Sequence, residues 1–129
     1  MAMIRYAQAV RDALAEEMRK DKTIFVMGED VETMGGVFGC TQGLLDEFGH
    51  DRIRNTPISE GVIAGAGLGA ALTGTNMVIE MQYVDFILNA MDEIINQAAK
   101  IRYMSGGKAE VKLTIRAQQG SGRGNGAQH

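Results

Sequence analysis

Asn55-Thr56-Pro57-Ile58-Ser59-Glu60 runs straight into Gly61-Val62-Ile63-Ala64-Gly65-Ala66-Gly67-Leu68-Gly69-Ala70-Ala71-Leu72. A proline turn hands the chain to Ser59, a residue type that caps helices by accepting a hydrogen bond from the amides two or three positions on. Glu60 then falls in the first turn, against the positive end of the helix dipole. The helix behind it carries no charge. Small residues at 61, 65 and 69 leave a bare strip along one face, where another backbone or a ligand can come close. Two readings of Glu60 stand side by side: an acid that complements the dipole, or a partly buried carboxylate that is costly without a partner.

Short apolar runs flank this helix on both sides. Upstream, Arg52-Ile53-Arg54 reads as a brief strand; downstream, Gly74 stops the helix and Met77-Val78-Ile79-Glu80-Met81 reads as a buried strand. Further back, Thr23-Ile24-Phe25-Val26-Met27-Gly28 is a continuous apolar run of the kind found in buried parallel strands. Glu29-Asp30 follows it, at the carboxyl edge where open α/β sheets place their ligands; a solvated acidic turn is the plainer alternative. Residues 3–19 predict an amphipathic helix, with Met3, Tyr6, Val10, Leu14 and Met18 recurring every three or four positions.

A glycine-punctuated loop covers 31–41, and a short helix runs from Gln42 to a stop at Gly49. A long helix is expected from Phe86 to Met104, with Ile87, Met91, Ile94, Ala98 and Ile101 as its apolar stripe. Val111–Arg116 is the next strand, and Ala117–His129 is glycine-rich and polar. Strand and helix alternate throughout, which predicts an α/β domain: a parallel sheet flanked by helices on both faces. With neither an internal repeat nor a low-complexity linker, residues 1–129 read as one domain. It ends inside a loop with no closing helix, and so is expected to be truncated.

The 129 residues carry a net charge of −3, which gives no electrostatic case for binding nucleic acid. One cysteine, nine methionines and no secretory signal point to a reducing cytoplasm. No apolar run approaches the roughly 18 to 20 residues that span a bilayer. Metal-ligand spacings are missing, and Cys40 has no histidine near it in sequence, which favours a loop or core thiol. Gly120-Ser121-Gly122-Arg123-Gly124 follows a strand but lacks the lysine and hydroxyl residue of a nucleotide loop. His129 ends that loop, where a mobile acid–base group could sit, and His50 reads as a helix-end residue. Phe86, just past a strand, suits either the core or the wall of a planar ligand. Composition and spacing name no reaction.

The motifs taken together do. Gly28-Glu29-Asp30-Val31, Gly35-Gly36-Val37-Phe38, Thr56-Pro57-Ile58-Ser59-Glu60, Asp85-Phe86, Asn96-Gln97-Ala98-Ala99-Lys100, Arg102-Tyr103-Met104-Ser105-Gly106-Gly107 and Gly126-Ala127-Gln128-His129 occur in order. As a set they resemble the β subunit of the thiamine-diphosphate-dependent decarboxylating component of 2-oxo acid dehydrogenase complexes, a family that includes pyruvate, branched-chain and acetoin dehydrogenases. The resemblance covers essentially the whole chain and only the amino-terminal, pyrimidine-binding domain of that subunit, with its carboxyl-terminal domain absent.

The resemblance implies that Glu60 hydrogen-bonds the ring nitrogen N1′ of the cofactor's aminopyrimidine and so activates it. It implies that Phe86 packs on the aminopyrimidine, that His129 faces the substrate and the lipoyl group, and that Glu29 belongs to an acidic path between paired active sites. Diphosphate and magnesium are held in this family by a Gly-Asp-Gly…Asn motif on the α subunit. No Gly-Asp-Gly occurs here. The expected assembly is therefore an α2β2 heterotetramer working with a lipoyl-bearing acyltransferase, each β subunit binding half a cofactor. Arg116-Ala117-Gln118-Gln119 departs from the Arg-Gly-Pro of many pyruvate-type relatives and leans toward the acetoin type. Two other readings compete: a non-catalytic flavodoxin-like binding module in which Glu60 is only part of a helix cap, and a transketolase-like fragment.

Overall fold

The computed structural model describes residues 3–120 together with Gly122, Gly124 and Gly126. Helix α1 (Tyr6–Lys20) leads into β1 (Ile24–Gly28), then α2 (Leu44–Phe48), β2 (Ile53–Asn55), α3 (Glu60–Leu72) and β3 (Asn76–Tyr83). An irregular helical stretch follows, wound as a 3-10 helix over Val84–Ala90 and as a π-helix over Asp92–Ala98. It passes into α4 (Ile101–Met104), and β4 (Leu113–Gln118) comes last among the strands. The four strands form one parallel sheet in the order β2-β1-β3-β4. This is the expected α/β architecture.

Alternation along the strands divides the core in two. Val26 packs with Ala15, Met18, Val31, Leu44 and Ile53 on the face covered by α1 and α2, and Val78 joins it. Ile79 and Met81 point the other way, into a cluster with Ile63, Ala64 and Ala90. Ile53, Ile63 and Ile79 are wholly buried, each contributing about 1.5–3 kcal/mol of apolar burial. Helix α3 lies unusually close to the sheet. A Cβ added to Gly67 would stand 2.7 Å from Ile79 Cγ2, so the small residue at 67 sets this distance.

Several expectations change at the boundaries. Helix α1 begins at Tyr6, and Met3 and Tyr6 are exposed, so its buried line is Ala15 and Met18 with Val10 and Leu14 half-covered. Arg52 stands outside β2. Its guanidinium donates to the carbonyls of Met18, Asp21 and Ile24 at 2.9–3.0 Å, tying the end of α1 to the start of β1. Ser59 holds the cap position of α3 without a side-chain cap bond; its backbone carbonyl accepts from the Ile63 amide at 2.9 Å.

The long α-helix expected over 86–104 is replaced by three differently wound segments. Its apolar stripe survives: Ile87, Met91, Ile94, Ala98 and Ile101 are all half-buried. Ile87, Ala90 and Ile94 reach the core beside α3 together. Packing against α3 has overridden regular winding, as tertiary contact commonly does to weak local preference.

Candidate functional site

The carboxyl edge of the sheet gathers the chemistry. β1 ends at Gly28, paired with Glu80 of β3, and a Cβ at Gly28 would stand only 2.6 Å from Glu80 Cβ. Only glycine lets the strands lie this close, and Glu29 begins immediately afterwards. Asp30 has φ 56°, a left-handed conformation uncommon outside glycine, which turns the chain away into the following loop. Glu29 is buried, at 5% exposure, and its Oε1 has no hydrogen-bond partner among the described residues. Burial pushes its pKa up, and the charges of Glu60 and then Asp30 push the same way.

Glu60 opens α3 in its first turn and is half-buried, which fits both of its sequence readings. Its Oε2 accepts a long hydrogen bond, 3.4 Å, from Asn89 Nδ2. Thus the first residue of a helix and the first residue after a strand, far apart in sequence, bring two carboxylates within electrostatic reach. The bare strip of α3 is largely taken up inside the chain. A Cβ at Gly61 would meet Asn89 O and Glu93 Oε1, and one at Gly65 would meet Glu93 Cγ, whereas Gly69 faces open space.

Phe86 lies half-buried in the 3-10 turn after β3. Its ring stands edge-to-face with Tyr83, centroids 6.1 Å apart. Asn89 is three residues further on, and in a 3-10 helix positions i and i+3 eclipse, so Phe86 and Asn89 share one edge. Two more buried oxygens at this end of the sheet lack partners among the described residues: Thr56 Oγ1 after β2 and Gln118 Oε1 closing β4. Buried polar atoms without a partner among the described residues thus lie at the carboxyl ends of three strands, the edge where open α/β sheets place their ligands, and a fourth, Thr75 Oγ1, lies before β3.

His129, expected at the substrate, lies outside the described residues. Cys40 is buried, with its thiol 3.9 Å from the Phe38 carbonyl, and His50 is exposed with Nδ1 3.3 Å from Glu32 Oε1. Among the described residues no cluster of His, Cys, Asp or Glu is placed to hold a metal ion, and no helix is long and apolar enough to cross a membrane.

Sequence reasoning passed over Asn89, Tyr83 and the pair of buried Glu80 with half-buried Arg116, 2.5 Å apart across β3 and β4. A charge inside the apolar run Ile79-Glu80-Met81 was the visible signal for that pair. Asn89 had no such signal, since its approach to Glu60 depends on the 3-10 winding. A hollow of about 550 Å³ between α1 and β4 is lined by Glu80, Arg116 and Gln118, but by none of Glu29, Glu60 and Phe86.

Comparison with known proteins places this edge in context. The β subunit of 2-oxoisovalerate dehydrogenase from Bacillus subtilis (strain 168) is 45% identical over 122 residues, 95% of this chain and 37% of that protein. The β subunit of the pyruvate dehydrogenase E1 component from Rhizobium meliloti (strain 1021) is 46% identical over 129 residues, 100% of this chain and 28% of its own length. The β subunit of acetoin:2,6-dichlorophenolindophenol oxidoreductase from Bacillus subtilis (strain 168) is 42% identical over an alignment of 139 residues, 98% of this chain and 41% of that protein. The chain thus spans between 28 and 41% of the length of these relatives. The family model described as the transketolase pyrimidine binding domain matches residues 2–129. That match takes in all four strands and their carboxyl edge, and the chain belongs to the family of transketolase pyrimidine-binding domains.

Proposed function

We propose that this chain is the pyrimidine-binding part of the β subunit of a thiamine-diphosphate-dependent 2-oxo acid or acetoin dehydrogenase. The observation that carries the reading is the convergence of Glu29 and Glu60 at the sheet's carboxyl edge, with one Glu29 oxygen buried and unpartnered. The residues fit an aminopyrimidine. Glu60 offers a half-buried carboxylate to share a proton with ring nitrogen N1′, and Phe86 offers an aromatic face. The orphaned oxygens of Glu29 and Thr56 are open to further polar atoms.

Thiamine diphosphate, when bound, supplies the electron sink for cleavage beside a carbonyl. Glu60 orients the pyrimidine and holds or gives the proton at N1′. Glu29, whose burial favours its protonated form, supplies a second proton-holding group next to Glu60. His129 acts on the substrate side, toward the lipoyl group of an acyltransferase partner. That the relatives are β subunits supports an α subunit as partner; in this reading it holds the diphosphate and its magnesium, and the active site is completed between subunits in an α2β2 assembly.

The test is co-expression with an α subunit bearing Gly-Asp-Gly, followed by assays with pyruvate, a branched-chain 2-oxo acid and acetoin in parallel. Glu60→Gln should leave assembly intact and lower turnover by roughly 10²–10⁴-fold, the usual scale for a positioned acid–base group. Turnover within twofold of wild type would return Glu60 to the role of a dipole-complementing helix residue.

A further inference from the structure

Three rings stand in line at the carboxyl edge. Phe38 comes from the loop between β1 and α2, Tyr83 closes β3, and Phe86 sits in the 3-10 turn beyond. The Phe38 and Tyr83 centroids are 5.4 Å apart with planes at 85°, and Tyr83 and Phe86 are 6.1 Å apart at 86°. Both contacts are edge-to-face, the arrangement in which the positive rim of one ring meets the negative face of the next.

Tyr83 reaches this place through an irregular stretch of backbone. The pairing of β3 with β4 shifts register between Glu80 and Tyr83. Gln82, inside the shift, has φ 55°. Such bulges re-aim the side chains that follow, and a left-handed non-glycine residue persists only where its surroundings over-determine it.

The loop that carries Phe38 is closed on itself. The Gly36 amide donates to Asp30 O at 3.0 Å, the Thr41 amide to Gly35 O at 2.7 Å, and the Thr41 hydroxyl to Val31 O at 3.0 Å. A Cβ at Gly35 would stand 2.6 Å from Gln42 Cα, so the loop has no slack there. Its root is Glu29-Asp30. The chain therefore leaves the sheet at Glu29 and returns through Phe38 and Tyr83 to Phe86.

We propose that Tyr83 is a positioning residue whose ring locks the Phe38 loop and the Phe86 turn into one body, holding the Phe86 face at a fixed spacing from Glu29. The role of that face rests on the cofactor reading above; the locking itself does not. Both ring contacts use Tyr83's ring alone, so Tyr83→Phe preserves the lock and Tyr83→Leu opens it.

Hydrogen exchange of the 129-residue chain, resolved by segment and without ligand, is the first measurement. Tyr83→Leu should speed exchange roughly tenfold in 31–43 and 84–90 together, the scale of losing edge-to-face ring contacts, with α1 and β1 unchanged. Tyr83→Phe keeps both ring contacts and should loosen the two segments less than Tyr83→Leu does. Thiamine diphosphate is then titrated into the assembly formed with the α subunit, and its affinity is read by calorimetry. The Tyr83→Leu assembly should bind it roughly tenfold more weakly than wild type, and the Tyr83→Phe assembly more tightly than Tyr83→Leu.

Loosening of one segment alone, or of neither, overturns the proposal, as does a Tyr83→Phe chain that behaves like Tyr83→Leu. If Tyr83→Leu does not fold, Phe38→Leu probes the lock from the other end, and unchanged exchange over 84–90 then overturns it. A wild-type assembly with the α subunit that binds no thiamine diphosphate overturns the cofactor reading separately, because the exchange measurement needs no ligand.

Discussion

Glu80 and Glu29 are each 5% exposed, and they flank one register position: Glu80 pairs with Gly28 of β1, and Glu29 follows Gly28 directly. Their surroundings are opposite. Glu80 lies deep in the sheet with Arg116 at 2.5 Å, so burial raises its pKa while the guanidinium's charge and hydrogen bond pull it back. Glu29 has Glu60 and Asp30 as its charged neighbours, and burial and both of these charges raise its pKa. The chain evidently can pair a buried carboxylate with a cation. It does so where strands are held together, whereas at the carboxyl edge Glu29 Oε1 has no partner among the described residues.

Breaking the paired side should have the largest effect. Arg116→Met strands Glu80 without its cation and should cost about 3–5 kcal/mol in urea unfolding, and adding Glu80→Met should restore most of it. A cost below about 1 kcal/mol for Arg116→Met would show that the pair is not structural. Gly28→Ala attacks the register position between the two acids. Its new Cβ meets Glu80 Cβ at 2.6 Å and Glu80 O at 2.7 Å, and the expected loss is about 1–3 kcal/mol in the same assay. A neutral result would mean that β1 and β3 can separate there without strain.

The smallest effect belongs to Glu29, and it sharpens the contrast. The folded protein holds the Glu29 proton more tightly than the unfolded chain. Its contribution to stability is therefore full below the ordinary carboxyl pKa of 4.5 and is lost as pH rises through the folded value. Glu29→Gln should flatten that part of the pH–stability curve and change stability near neutral pH by no more than about 1 kcal/mol. Equal slopes in wild type and Glu29→Gln would remove Glu29 from the titrating groups.

Much of this edge was legible in the sequence, and for definable reasons. The run Ile24–Gly28 is apolar because both faces of β1 are covered, and Glu29 beside it could be placed at the carboxyl edge of the sheet, with a solvated acidic turn left open as the alternative. Glu60 was visible as one acid at the mouth of an uncharged helix. Asn89, Tyr83 and Arg116 were not visible as partners, because each meets its contact through a bend, a bulge or a strand pairing that leaves no periodic trace. Ser59 shows the converse: the right residue at the cap position, with a backbone of φ −160° and ψ 89° and no side-chain cap bond.

The sequence by itself determined the alternation of strand and helix, the family, and the two acids at the sheet's edge. These depend on residue type and local spacing, which a linear chain displays directly. Only the tertiary structure decided that Glu80 takes Arg116 while Glu29 Oε1 finds no partner among the described residues, and that Asn89 reaches Glu60. It alone decided that a predicted α-helix is wound tightly and then loosely against α3. These outcomes depend on which strands become neighbours and on how closely Gly28 and Gly67 let the layers approach, and both are settled only when the two cores close on opposite faces of the sheet.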